Sequence, residues 1–352
     1  MKSKTWNIIV LVGMICTLGF FAGVTILIDP LFHYHAPLDR LAYPIDDERY
    51  QNDGIVRHFD YDAVIAGSSM CENFSSTEFD NLWGTQCVKV PLSGGTYREA
   101  DLLVRRALKT HPGVKYVLRS LDYSSLLLDK YELFNADIQP SYLYDDNPLN
   151  DVEYLFNKEI FIFKVYEVLN YTRHGGRTTT FDDYANWNAT ATFGAEEVFS
   201  YYDWTHTVAP EQVISEEEIN RVHENIYQNV VETANNYPDV TFYYFFTPYS
   251  IAYWAMLHER GQINWRIDAE KYAIEDMLEC PNIKLYSFCT DYATVCELGN
   301  YKDLAHFDEE INHAILHRMR NDEYLLTKDN YEQYIDEIRE FYNSYDYESL
   351  TR

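Results

Sequence analysis

Short apolar runs alternate with amphipathic helical patterns along most of this chain, and that alternation narrows the choice of fold more than any other feature. Candidate strands fall at 63–66, 88–90, 115–120, 240–246 and 283–288. Between them, 97–110 carries Ala100, Leu103, Val104, Ala107 and Leu108 on one helical face, and Pro112-Gly113 ends it. A second helix over 215–236 opens with Ser215 and Glu218, the spacing of a capping box, and a third covers about 264–279. Uninterrupted apolar strands alternating with helices belong to a parallel sheet covered on both faces. The expectation is an α/β protein, a three-layer α/β/α sandwich on a five-stranded parallel sheet.

The first strand ends in Gly67, Ser68 and Ser69, after which the pattern turns helical. A small-residue turn there can present a hydroxyl, and the unpaired first amides of a following helix can face the same place. Far downstream, Asp303 precedes His306 by three residues, on a turn before another helical pattern. A carboxylate so placed can orient an imidazole and hold the tautomer that accepts a serine proton. Parallel sheets bind ligands beyond the carboxyl ends of their strands. Ser69, Gly94, Asp122 and the Asp303/His306 turn all follow strands, so the topology brings them to one edge.

These blocks resemble the SGNH, or GDSL-like, hydrolase family. AGSSM resembles its Gly-Asp-Ser-Leu block, with Ser68 at the Asp position and Ser69 at the nucleophile. VPLSGGT, 90–96, is similar to the second block and implies that Gly94 serves the oxyanion hole beside the Ser69 amide. Asp303-x-x-His306 matches the last block. The third block departs: VLRSLDYSS has Asp122 near the position of the family's Asn donor, and an ionised Asp cannot donate. The donor is then missing, supplied elsewhere, or Asp122 is protonated; Asp122 and Ser68 are the further candidates for oxyanion or substrate contact. The resemblance covers roughly residues 60–125 and 240–320 and implies a flavodoxin-like SGNH fold. It also implies ester hydrolysis or acyl transfer, often of acetyl groups, on a cell-envelope polysaccharide. An acyl-ester or glycan substrate and an acyl-donor membrane protein are the partners this suggests. The alternative is a non-catalytic glycan-binding or assembly scaffold, which the Asp122 departure would favour.

Residues 8–28 form an uncharged apolar run of about 21 residues, long enough to span a bilayer as a helix. Lys2 and Lys4 before it predict a cytoplasmic N-terminus and an external body. GVTILIDP offers no Ala-x-Ala cleavage site, so the expectation is a retained single-pass anchor, 1–29, in the cell membrane. Residues 30–60, with Pro30, Pro37 and Pro44, suggest a linker. The α/β domain is expected over 61–321, with an aromatic insertion at 125–210 above the active-site end. An acidic C-terminal helix is expected over 322–352, with Tyr334, Ile338, Phe341 and Tyr345 at helical spacing.

The formal net charge of −28 repels nucleic-acid phosphates, so that class of partner is set aside. No Gly-x-Gly-x-x-Gly or P-loop occurs, and the reading requires no cofactor. No C-x-x-C pair occurs, although one bridge among Cys280, Cys289 and Cys296 would suit an oxidising compartment. Glu309, His313 and His317 recur every four residues, but without the Glu of a zinc-protease helix this spacing suggests a helix surface, and no metal is expected.

Overall fold

The computed structural model describes residues 3–134, 139–202, 204–205 and 207–351; Lys2 lies outside the described residues. The chain divides into two compact units, one of residues 1–59 with 136–184, the other of 60–135 with 185–352.

The larger unit is mixed α/β, with helices on both sides of one sheet. Its strands are β1 Ala63–Gly67, β2 Cys87–Pro91, β3 Tyr116–Leu121, β4 Thr241–Phe246, β5 Ile283–Ser287 and β6 Leu325–Leu326, in the order β2-β1-β3-β4-β5-β6. The first five run parallel, in registers such as Gly67↔Pro91 and Leu121↔Phe246. The sheet is thus six-stranded rather than five-stranded. β6 pairs antiparallel to β5 through Leu325 and Leu326, too short to produce a periodic signal.

Two cations lie inside the strands, and each donates to two backbone carbonyls. Lys89 donates to the carbonyls of Glu72 and Phe74, and Arg119 to those of Asn229 and Tyr97. Both side chains are fully buried, where an unpaired charge would be severely penalised. The helix expected at 97–110 is Tyr97–Thr110, opened by a Thr96/Glu99 capping box. The helix expected at 215–236 has its Ser215/Glu218 box but widens into a π turn at Tyr227–Val231. Buried Asn225 and Asn229 there donate to the carbonyls of Ser125 and Lys130. Helix Ile251–Glu259, capped by Ser250, was not evident in the sequence because it is apolar on nearly every side.

Helix Tyr331–Ser344 belongs to the same unit and buries Tyr334, Ile335, Ile338 and Tyr342. The buried seam therefore uses Ile335 and Tyr342 where Phe341 and Tyr345 were expected. Tyr342 stacks on Trp254 at a centroid distance of 3.6 Å.

In the smaller unit, helix Ser3–Ile28 is long and apolar enough to cross a membrane, with mean hydropathy 2.4 over its most apolar window. The segment expected as a linker is instead packed. It contains helix Glu48–His58, and Phe32, Tyr43, Ile55 and Val56 are inaccessible to solvent. Two polar side chains, one just before it and one within it, hold its backbone. Asp29, at φ +44°, accepts the amides of His33, Tyr34 and His35 and the hydroxyl of Tyr154. Gln51 accepts two amides and donates to the carbonyls of Pro30 and Pro44. The stretch 125–210 is not one insertion: 136–184 packs with the N-terminal segment, while 185–210 belongs with the sheet.

Candidate active site

β1 delivers the chain into the site through Gly67, at φ +138°, a conformation that side chains disfavour. A Cβ there would fall 2.6 Å from Ser120 Oγ and 2.8 Å from Cys71 Sγ, so a side chain is excluded by contact as well. The next two residues part company. Ser68 is buried; its Oγ donates to Asp122 Oδ2 at 2.6 Å and accepts from the Met70 amide at 3.2 Å. Ser69 is half-buried, and its Oγ lies 2.7 Å from His306 Nε2. Ser69 opens a 3-10 turn, Ser69–Cys71, and the α-helix proper begins only at Ser76. The expected helix N-terminus is therefore a single tight turn, because Ser75 caps the helix by accepting from the Glu78 amide.

The imidazole is held from its other side. His306 Nδ1 is 2.8 Å from Asp303 Oδ2 and 3.0 Å from Oδ1. With Nδ1–H directed at a carboxylate, Nε2 is left to accept from the Ser69 hydroxyl. Burial opposes the charge on Asp303, but the His306 ring and the amides of Ala305 and His306 outweigh it and hold its carboxyl below the ordinary range. The turn is closed by a Tyr301–Phe307 bridge and tied to the segment after β4 by Ser250, whose amide and hydroxyl donate to the Leu304 carbonyl.

Asp122 does not take the donor's place. It is buried at the end of β3, and its carboxylate accepts hydroxyls from Ser68, Ser120 and Tyr249. Burial pushes its carboxyl above the ordinary range, against these bonds, which favour the charge. It serves as a buttress for Ser68. Gly94 is exposed at φ +65° in the turn after β2, and the Leu92 amide ties this turn to the Gly67 carbonyl at 2.8 Å.

Three residues near the pair escaped the sequence reading. Trp187 sets its ring edge-to-face against His306 at 5.7 Å, and its amide donates to Asn73 Oδ1. The Lys302 ammonium lies 3.6 Å from the centre of the Trp187 ring. Tyr249 follows β4, where the rule of strand carboxyl ends could have found it; Trp187 sat unranked within an aromatic stretch.

His313 and His317 both meet Glu78 across two helices, and Glu309 is engaged by Asn186 and Asn188. No group of three or more potential ligands among the described residues could hold a metal ion. The cysteines are all unbridged, so the disulfide considered among Cys280, Cys289 and Cys296 is absent.

No family model matches the chain, and no curated protein does. Among solved structures, a chain described as "a putative platelet activating factor from Streptococcus pneumonia" aligns at 10% identity over 78% of this chain and 90% of that one, with a TM-score of 0.41. Any chemistry must therefore be argued from the site.

Proposed function

We propose that this protein is a serine-dependent esterase or O-acyltransferase, acting from the outer face of the cell membrane on acyl groups of an envelope glycan. The observation that carries the reading is the unbroken line from Ser69 Oγ through His306 to Asp303, at 2.7 and 2.8 Å. In this mechanism Ser69 Oγ attacks the ester carbonyl while His306 Nε2 takes its proton. The oxyanion is met by the backbone amides of Ser69 and Gly94. As the tetrahedral intermediate collapses, the ester C–O bond breaks and His306 returns the proton to the leaving alkoxide. Water or an acceptor hydroxyl then attacks the acyl-enzyme, losing its proton to His306; the bond between the acyl carbon and Ser69 Oγ breaks, and Oγ recovers that proton from the imidazolium. Asp303 stabilises the imidazolium formed twice per cycle. The glycan part of the proposal draws on Trp187, an aromatic surface beside the base, with a cation over its ring.

A fluorophosphonate probe tests the chemistry directly. Labelling of the full-length protein that disappears in Ser69→Ala is expected; absence of labelling would favour a non-catalytic scaffold. The substrate class is tested by comparing the acyl content of envelope polysaccharide with and without the gene. Unchanged content under clear expression would overturn the glycan assignment while leaving the probe result standing.

A further inference from the structure

The helices following Asp151 are apolar on two sides. Their inner side buries Tyr154, Ile160, Val165 and Val168. Their outer side exposes Phe156 at 47%, Ile162 at 54%, Phe163 at 58% and Tyr166 at 64%. A helix packed on a soluble body usually presents polar residues outward. Within the π-helical segment Glu159–Lys164, Ile160 is buried and Ile162 and Phe163 are exposed. The charges of this segment are paired: Lys164 with Asp46 at 3.0 Å and Glu167 at 3.5 Å, and Lys158 with Glu159 at 3.5 Å.

The same segment packs against the N-terminal helix within the smaller unit. Phe161 meets Phe21 edge-to-face at 4.5 Å, and an apolar cleft of about 380 Å³ opens between Leu18, Phe21, Leu155, Phe156 and Ile162. The level of this contact along the helix is informative. At 1.5 Å per residue, the uncharged run 8–28 measures about 31 Å, close to the hydrocarbon thickness of a bilayer. Phe21 and Leu18 lie about 10 and 15 Å back from its end at Ile28. If that run fills the bilayer core, the cleft and exposed face beside it stand within the leaflet nearer the body. The patch is thus continuous with the surface by which the spanning helix meets lipid.

We infer that residues 156–169 form a second membrane-seated element, lying in the leaflet on the body's side with lipid acyl chains occupying the cleft. Asn157 and Lys158 line the same cleft, and the Lys158 ammonium pairs with the Glu159 carboxylate at 3.5 Å, so this end of the element carries no net charge. The spanning helix and this element together would hold the smaller unit against the membrane by two lipid contacts.

The test uses the full-length protein in phosphatidylethanolamine/phosphatidylglycerol vesicles, with Cys16→Ser and Cys296→Ser removing the two cysteines that are not buried. A nitroxide is attached in turn to Phe163→Cys, Ile162→Cys and, as an aqueous reference, Val213→Cys, which is 81% exposed in the other unit. The ratio of collisional relaxation by oxygen to that by a water-soluble nickel chelate should be several-fold higher at 162 and 163 than at 213. Equal ratios would place the face in water and overturn the inference. So would exclusion of both relaxants, which marks cover by another protein, or dipolar broadening between labels, which marks a second copy.

Discussion

At the scale of single residues, neighbouring hydroxyls have been given different tasks by what lies behind them. Ser68 faces a buried carboxylate and Ser69 faces an imidazole, so the two are not interchangeable. Ser69→Ala and His306→Ala should each lower turnover of a small aryl ester by at least about 10³-fold with unfolding midpoints near wild type. Asp303→Asn should fall in the same range, since it can hold the wrong tautomer. Ser68→Ala leaves Asp122 short of one donor and the Met70 amide without its acceptor. A loss of about 10- to 100-fold is expected from a disrupted buried network of this kind. Full activity in Ser69→Ala would remove the mechanism. For Asp122, the bonds it accepts make Asn a poor replacement. Asn has one acceptor oxygen where the carboxylate uses two, and its amide would face hydroxyls now donating. Asp122→Asn should therefore reduce activity and cost about 1–3 kcal/mol in urea unfolding; retained or raised activity would return Asp122 to the oxyanion.

Elements set the positions of these residues. The turn after β1 depends on Gly67, whose φ and close neighbours both exclude a side chain. Gly67→Ala should destabilise by more than about 1 kcal/mol and depress ester turnover, because relaxation must move the Ser68–Ser69 turn or Ser120. The downstream helix that follows His306 is clasped to helix Ser76–Trp83 through His313 and Glu78. Burial disfavours the His313 charge, but Glu78 outweighs it and raises the imidazole above its usual range. The folded state thus holds this proton more tightly than the unfolded one. The clasp contributes fully below the unfolded value of about 6.5 and fades as pH rises through the higher folded value. Its worth is at most about 1 kcal/mol, since the ring is partly exposed. The urea midpoint of wild type should exceed that of His313→Gln at pH 6 and approach it by pH 9; a pH-independent difference would assign the contact to packing.

For the whole molecule, the proposed function requires one orientation of the apolar N-terminal helix. Lys4 lies in the first turn of that helix, on the side the proposed topology places in the cytoplasm. Protease added to intact cells or spheroplasts should digest the body and spare an N-terminal tag; a protected body would reverse the topology. The body itself is built as two units, and the chain crosses between them near residues 59, 135 and 184. The smaller unit is not a spacer. Buried Asp29 and Gln51 anchor its backbone at several points, so shortening 30–60 should disrupt its packing rather than merely shift the domain.

The parallel strands and their flanking helices were legible in the sequence because continuous apolar runs and 3.6-residue periodicities are local signals. The pairing of Ser69 with His306 was legible only as an order of blocks, since 237 residues separate the two. Tertiary structure decided what stands behind the other serine: β1 and β3 pair side by side, placing Asp122 behind Ser68, and no local pattern reports that neighbour. It likewise decided that the polar, proline-bearing stretch 30–60 packs, because polar side chains look solvent-directed until their distant backbone partners are known. The two-residue strand β6 has too few residues for any period; only the neighbouring edge of β5 makes it a strand.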